Sequence, residues 1–314
     1  MKYLFASSPV DEEQIRQEIS SYVDDKGIDF DVMRRIQADF GVDHASVYLR
    51  EALENCRKNR DFINELESSP AMDKANFEFI IIPSMFYLQH PEVGGDGTVF
   101  QLIADRLGVP FQSVKLKSLG SISENAEILK EFFEKTDQSK PKWILSMSKG
   151  TADLKRLLSL DLSDTCRKSI KGILNVSGVH GGTPLTISRK GRRLSHFLMK
   201  SWLKLRGAGR GLLAEMDREH HFSREEYKLD EHMQAVNIFG LPLLSHLRKP
   251  MLKTYAELGE RGPNDGYVLT EDALIPGGNN IYFWGEDHYL RTPELNRRIE
   301  QVLRWINTQE TENE

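Results

Sequence analysis

The segment from Trp143 to Gly150 contains a serine in a position suited to nucleophilic chemistry. An apolar run that begins at Trp143 ends at Ser148, and a helix-forming segment follows at once. Where a strand turns sharply into a helix, the residue at the bend is held in a strained conformation with its side chain exposed. Small residues two positions before and after it, here Ser146 and Gly150, avoid a collision across the bend. This pattern predicts that Ser148 is a nucleophile.

Strands that alternate with helices surround this serine. Apolar runs typical of strands lie at residues 77–82, 111–116, 143–147, 172–177, 235–239 and 280–284. Helical patterns occur between most of them and again at residues 293–308. Such alternation is typical of crossover units that build a parallel sheet. We therefore expect an α/β fold with a mostly parallel sheet covered by helices on both faces.

Three residues with catalytic chemistry follow predicted strands. Ser148 follows the strand at 143–147, Asp265 lies in a loop rich in turn formers after the strand at 235–239, and His288 follows the last strand. The carboxyl ends of parallel strands meet at one edge of a sheet, where α/β proteins place their chemistry. The chain order Ser, Asp, His is that of one hydrolase architecture.

Four segments resemble those of the α/β-hydrolase superfamily, and of its lipase and esterase branch in particular. Residues 146–150 resemble the nucleophile elbow, 179–185 the segment that leads into a lipase lid, and 264–268 the acid loop; Gly-Glu-Asp-His at 285–288 resembles the Gly-x-Asp-His ending. The similarity covers roughly residues 77 to 308. It implies a hydrolase core at 73–314 with an inserted helical lid at 184–231. The polar, helical pattern before this core predicts an N-terminal helical extension at 1–72.

The resemblance also implies a role for each site residue. Ser148 would attack an acyl carbonyl, His288 would take and later return the proton, and Asp265 would orient the imidazole. The backbone N–H of Lys149 would supply one oxyanion donor, and that of Met85, after the strand at 77–82, the second.

Several alternatives stay open from the sequence alone. The second oxyanion donor could be Ser84 or Phe86, since this chain has Pro83-Ser84 where the family usually has His-Gly. Ser146 is a rival nucleophile, although it lies on the strand. Asp272 and Asp287 are rivals of Asp265 as the acid.

Other candidate groups favour structural roles. His180 is expected to line a pocket or to be hydrogen-bonded, and His220, His221 and His232 are expected to lie at the surface without a metal. The glycine-rich segment at 94–97 lacks the Lys-Ser/Thr of a phosphate loop, which favours a loop and helix cap.

A basic segment lies inside the predicted lid. Eight cationic residues occur between Pro184 and Arg210 without an acidic one: Arg189, Lys190, Arg192, Arg193, Lys200, Lys204, Arg206 and Arg210. Leucines, a phenylalanine and a tryptophan are interleaved with them. This pattern fits a lid helix with a solvated basic face, or contact with an anionic lipid surface or an acidic carrier protein. Its apolar face predicts a hydrophobic acyl substrate.

Composition narrows the function further. The 314 residues carry a net charge of −5, so no global basic field for nucleic acid exists. Two cysteines, Cys56 and Cys166, indicate neither a disulfide framework nor a metal cluster. No segment approaches the roughly 20 apolar residues of a membrane span, and no signal peptide is evident, so we expect a cytoplasmic protein.

The sequence therefore predicts a serine hydrolase that needs no metal or organic cofactor. The expected reaction is cleavage of a carboxylic ester with an apolar acyl group. A thioesterase or acyltransferase acting on a carrier protein or coenzyme A thioester is the alternative within this class. A non-catalytic binding protein on the same fold is the alternative from another class.

Overall fold

A six-stranded parallel sheet organises the protein. The computed structural model describes residues 11–185, 207–209, 211–225 and 228–312. The strands are β1 (Glu78–Ile82), β2 (Phe111–Ser113), β3 (Lys142–Met147), β4 (Ile170–Val176), β5 (Gln234–Leu241) and β6 (Asn279–Trp284). They lie in the order β2-β1-β3-β4-β5-β6, and every neighbouring pair is parallel. The predicted parallel α/β sheet is confirmed, with β2 shorter than expected.

Helices precede the sheet, connect most of its strands and close the chain. Those before β1 are α1 (Glu12–Ile19), α2 (Phe30–Phe40), α3 (Val42–Asn55) and α4 (Arg57–Ser68). The next are α5 (Thr98–Arg106), α6 (Ile122–Lys135), α7 (Lys149–Leu158) and α8 (Asp164–Ser169). The described remainder comprises α9 (Leu212–Glu215), α10 (His221–Arg224), α11 (Met251–Leu258), α12 (Thr270–Ala273) and α13 (Pro293–Glu312). Among the described residues, none of these helices is both long and apolar enough to span a bilayer.

Both faces of the sheet are covered, as the apolar runs predict. Alternate side chains of β1 point to opposite faces: Phe79 and Ile81 pack with α4, α5 and α13, whereas Ile80 and Ile82 pack with α6, α7 and α8. Strands buried on both sides must be apolar at nearly every position. For this reason the strands could be recognised in the sequence as continuous hydrophobic runs.

The N-terminal helices share a packed interior with the far end of the sheet. Tyr48, Leu49 and Leu53 of α3 are buried in one cluster with Phe239 and Leu241 of β5. The boundary between residues 72 and 73 stays a prediction. The packing nevertheless makes these helices a cover for β5 and β6.

Strand order creates a crevice between β1 and β3. The chain leaves β1 for β2 on one side and then crosses back to β3 on the other side. At such a reversal the connecting segments diverge, and ligands of α/β proteins bind outside the carboxyl ends of the two strands. Ser148 follows β3 and Met85 follows β1, so both predicted site segments border this crevice.

The buried leucine of α3 gives a test of the shared core. We expect Leu49→Ala to lower the free energy of unfolding by about 2–5 kcal/mol, because Leu49 is fully buried. Leu102→Ala is the matched control, since Leu102 is 65% exposed and should change stability by less than about 0.5 kcal/mol. Urea denaturation measures both, and equal effects would contradict the packing described.

Candidate active site

Ser148 occupies a strained bend between β3 and α7. Its φ of 48° and ψ of −118° place a non-glycine residue in the sparsely populated region of positive φ. The backbone N–H of Ser148 donates to the carbonyl of Val176 at 3.0 Å, and its carbonyl accepts from Val179 N–H at 3.0 Å. Such a conformation costs roughly 1–3 kcal/mol and persists only where the surroundings impose it. Here the adjacent strand β4 imposes it.

Gly150 is small for a reason that the sequence did not indicate. A Cβ atom at Gly150 would lie 2.6 Å from the carbonyl oxygen of Pro83 and 2.9 Å from Cγ2 of Ile82. Ile82 is the last residue of β1 and Pro83 directly follows it, so neither atom belongs to the bend itself. The glycine therefore allows the first turn of α7 to approach β1. The sequence pattern alone predicts a different reason, the avoidance of a collision across the bend at Ser148.

The structure brings Ser148, His288 and Asp265 into one hydrogen-bonded chain. Ser148 Oγ lies 3.0 Å from Nε2 of His288, and Nδ1 of His288 lies 2.7 Å from Oδ2 of Asp265. A carboxylate only accepts, so Nδ1 carries the proton and Nε2 accepts from the serine hydroxyl. The loop holds Asp265 in place, because its Oδ1 accepts the backbone N–H groups of Tyr267 and Val268, both at 2.9 Å.

The surroundings of His288 favour its protonated form. Burial alone would lower the pKa of the imidazole, but the carboxylate of Asp265, by charge and hydrogen bond, and then the charge of Asp287 raise it above the ordinary histidine value. An imidazolium formed at this position is therefore stabilised, as a general base requires after taking a proton.

The rival acids have other partners. Asp272 pairs with Arg218, whose Nε lies 3.0 Å from Asp272 Oδ1, and burial raises the pKa of Asp272 to about 7. Asp287 accepts the backbone N–H of Tyr289 at 2.9 Å. Of these three aspartates, Asp265 is the one hydrogen-bonded to His288.

Ser146 is directed into the interior. It is fully buried, and its Oγ lies 2.9 Å from Oγ1 of Thr151, which donates to Oδ1 of Asn175 at 2.9 Å. With the Thr151 hydrogen committed to Asn175, Ser146 donates to Thr151. The rival nucleophile therefore lies outside the Ser148–His288–Asp265 chain.

A row of polar side chains that the sequence did not predict crosses the sheet from Ser146. Ser146, Asn175, Asn237 and Asn280 stand at the same register on β3, β4, β5 and β6. Nδ2 of Asn175 donates to Oδ1 of Asn237 at 2.9 Å, and Nδ2 of Asn237 donates to Oδ1 of Asn280 at 3.1 Å. The available signal was an Asn or Ser within or at the start of each of four apolar runs.

The backbone N–H groups of Lys149 and Met85 stay candidate oxyanion donors. Lys149 is the first residue of α7, where an N–H has no acceptor within the helix. In the β1 loop, which we define as residues 83–90, Ser84 N–H donates to Gly95 at 2.8 Å and Phe86 N–H donates to Ser118 at 3.4 Å. Within the part of the chain that the structure describes, Met85 N–H has no acceptor. This favours Met85 among the three candidates.

Backbone strain is concentrated at the same edge of the sheet. The described non-glycine residues with positive φ are Phe86 (64°), Ser148 (48°), Ser177 (45°) and Leu290 (47°). They follow β1, β3, β4 and β6, so each lies beyond the carboxyl end of a strand. Strain of this kind clusters at functional sites.

An apolar cluster adjoins the β1 loop. Leu119 and Leu212 form its buried centre, and Met85, Phe86 and Met216 pack against them. The predicted lid at 184–231 is described only in part, and the basic segment with all eight of its Lys and Arg residues lies outside the described residues. The described portion contributes Leu212 and Met216 to this cluster.

His180, His220 and His232 take no part in the hydrogen-bonded chain. His180 is buried, and burial lowers its pKa to about 3. Nδ1 of His220 accepts the N–H of Phe222 at 3.3 Å, and Nε2 of His232 lies 3.2 Å from the carbonyl of Arg167. The His220 contact lies at the start of helix α10, and the His232 contact lies at the protein surface.

Comparison with known proteins supports the fold. No protein-family model and no curated protein sequence matches the chain. The metagenomic carboxyl esterase MGS0156 superposes with a TM-score of 0.57 at 17% identity, covering 78% of each chain. The mature lipase BlEst2 of Bacillus licheniformis superposes with a TM-score of 0.51 at 14% identity, covering 69% of this chain and 87% of the lipase. With the parallel sheet, these similarities show an α/β-hydrolase-like fold, as the sequence predicted.

Gly150 offers a test of the contact between α7 and β1. We expect Gly150→Ala to lower the free energy of unfolding by roughly 1–3 kcal/mol and to displace Ser148, because the added methyl meets β1. Gly108→Ala is the control for Ser148 reactivity: its φ of +67° makes an alanine there strained and lowers stability, but its Cβ would meet nothing within 4 Å, so Ser148 should react as in the wild type. Thermal or urea unfolding and the reactivity of Ser148 are measured. A Gly150→Ala protein with unaltered stability and reactivity would contradict the contact.

Proposed function

We propose that this protein is a serine hydrolase that cleaves carboxylic esters with an apolar acyl group through an acyl-enzyme at Ser148. The observation that carries the proposal is the continuous hydrogen-bonded chain from Asp265 through His288 to Ser148, at 2.7 and 3.0 Å. Its position at the crevice between β1 and β3 adds support, because chemistry in α/β folds occurs there.

Each group has a step in the proposed reaction. Ser148 Oγ attacks the acyl carbonyl carbon while Nε2 of His288 takes the hydroxyl proton. When the tetrahedral intermediate collapses, the bond to the alcohol oxygen breaks and His288 returns the proton to the departing alcohol. Water then attacks the acyl-enzyme, His288 takes a proton from it, and the carboxylic acid leaves as Ser148 regains its proton. Asp265 keeps the imidazole oriented throughout.

The negative charge of the intermediate would be held by two backbone donors. The proposal assigns the N–H of Lys149 and that of Met85 to this role. A donor of this kind is typically worth about 3 kcal/mol of transition-state stabilisation. The N-terminus of α7 adds a favourable dipole, because its N–H groups point toward the developing charge.

An apolar substrate is supported by the surroundings of the second donor. Met85 and Phe86 pack with Leu119, Leu212 and Met216. An acyl or alcohol group that enters beside Met85 would exchange water for these side chains, which favours hydrophobic groups. The names of the two similar solved structures, a carboxyl esterase and a lipase, agree with an ester substrate. A cytoplasmic location, and contact of the basic segment with lipid or a carrier protein, remain further parts of the proposal.

Covalent labelling separates the two serines. A fluorophosphonate probe should label the wild-type protein and fail to label Ser148→Ala, because, of Ser146 and Ser148, Ser148 is the one hydrogen-bonded to a histidine. Ser146→Ala should keep its labelling and its hydrolysis of p-nitrophenyl esters, and it serves as the matched control. Ser148→Ala should lose hydrolysis by at least about 10³-fold. A folded wild-type protein that is not labelled would favour the non-catalytic alternative.

The pH dependence of hydrolysis follows from the raised pKa of His288. Only the neutral imidazole can take the serine proton, so kcat/KM should rise with pH and reach half its maximum above about 6.5, the ordinary histidine pKa. Asp287→Asn removes one charge that raises this pKa, so its midpoint should move to lower pH while activity is retained. Full wild-type activity at pH 5 would contradict the assignment of His288 as the base.

A further inference from the structure

A buried polar cluster lies directly behind the nucleophile, on the helices α6 and α7. Nζ of Lys149 pairs with both carboxylate oxygens of Asp153, at 2.6 and 2.8 Å, and Nδ2 of Asn125 donates to Asp153 Oδ2 at 2.8 Å. All three residues are at most 2% exposed. A buried ion pair is a poor source of stability, because desolvation offsets its attraction. A contribution to stability alone therefore does not explain the cluster, which points to a further role.

Asn125 connects this cluster to the loop between β2 and α6, which we define as the β2 loop, residues 114–121. Oδ1 of Asn125 accepts the N–H of Lys117 at 3.2 Å, and Nδ2 donates to the carbonyl of the same residue at 3.2 Å. The side-chain amide of Asn125 thus bonds to both the backbone N–H and the backbone carbonyl of Lys117. Because Asn125 is also bonded to Asp153, the position of the β2 loop is tied to α7.

The β2 loop in turn holds the β1 loop. Tyr87 Oη donates to the carbonyl of Leu116 at 2.6 Å, and Oγ of Ser118 donates to Oε1 of Gln89 at 2.6 Å. Phe86 N–H adds a longer bond to the carbonyl of Ser118, at 3.4 Å. These bonds begin at Phe86, directly after Met85, and extend to Gln89. The β1 loop is therefore fastened to the β2 loop immediately after Met85.

These hydrogen bonds form a continuous network that links the two candidate oxyanion donors. It runs from Lys149 through Asp153 and Asn125 to the β2 loop, and from there to Met85. The two donors lie 64 positions apart in sequence and on separate segments, so covalent geometry does not fix their separation. The contact of Gly150 with Pro83 sets how closely α7 approaches the end of β1 on one side of the crevice. This network of hydrogen bonds holds the same two segments together on the other side.

We infer that Asn125 and Asp153 are positioning residues that set the separation of the Lys149 and Met85 N–H groups around the oxyanion. The inference rests on the proposed function. Donors must stand about 2.7–3.1 Å from the developing oxyanion, and a misplacement of 1 Å can cost on the order of 10²-fold in rate. Asn125 touches neither substrate nor the reacting atoms and acts through the β2 loop.

Replacement of the amide by an apolar side chain of similar volume tests the inference. We expect Asn125→Leu to lower kcat by about tenfold or more for an ester substrate while KM changes by less than about twofold, because the donors act mainly in the transition state. Affinity for a boronic acid, which forms a tetrahedral adduct with the serine, should fall by a similar factor. Asn59→Leu is the matched control, since Asn59 is another buried amide, on α4, and should lose stability without losing kcat.

A second variant covers the possibility that Asn125→Leu does not fold. Tyr87→Phe combined with Ser118→Ala removes two of the bonds between the β1 and β2 loops and leaves the buried cluster intact. We expect kcat and boronate affinity to fall together by about threefold to tenfold, with thermal stability close to that of the wild type.

The outcomes separate this inference from the proposed function. An inactive wild type without labelling at Ser148 would overturn the proposed function. An active wild type, with a loop variant and any folded Asn125→Leu protein that keep wild-type kcat and boronate affinity, would overturn the positioning role alone. Equal losses of kcat in Asn125→Leu and Asn59→Leu would also overturn it, because a general loss of stability would then explain both.

Discussion

The rest of the site depends on the strained backbone of Ser148. A φ of 48° costs roughly 1–3 kcal/mol for a serine, and its neighbours impose it from two sides. On one side β4 receives the N–H of Ser148, and on the other the bare Cα of Gly150 lies against Pro83 at the end of β1. Between these contacts the chain must turn from β3 into α7. The turn directs Oγ toward His288 and leaves the N–H of Lys149 at the same point.

The packed interior of the sheet and the strained residues of the candidate site lie in different parts of the fold. A row of polar side chains runs through the sheet's mostly apolar interior from Ser146 to Asn280, and each amide of that row is hydrogen-bonded. The strained residues lie beyond the strand ends instead, after β1, β3, β4 and β6. A well-packed interior offsets the cost of strain at the edge, so the edge can hold groups in geometries that an isolated loop would not keep. Asp265 and His288 are placed by this same edge.

The sequence predicted most of the sheet and three central residues, for physical reasons. Strands buried on both faces are continuous apolar runs; Ser148 directly follows one of them, and His288 lies four positions after the end of another. Other features depended on tertiary contacts that no local pattern encodes. The true neighbour of Gly150 is Pro83, 67 positions away. The choice of Met85 as second donor depends on which backbone carbonyls its neighbours reach, and the role of Asn125 depends on loop docking.

A crystal structure of the protein after reaction with a fluorophosphonate tests the central claim most directly. We expect phosphorus bonded to Oγ of Ser148, with the phosphoryl oxygen about 2.7–3.1 Å from the N–H groups of Lys149 and Met85 and His288 still bonded to Asp265. Phosphorus on another residue, or a phosphoryl oxygen directed away from both N–H groups, would contradict it.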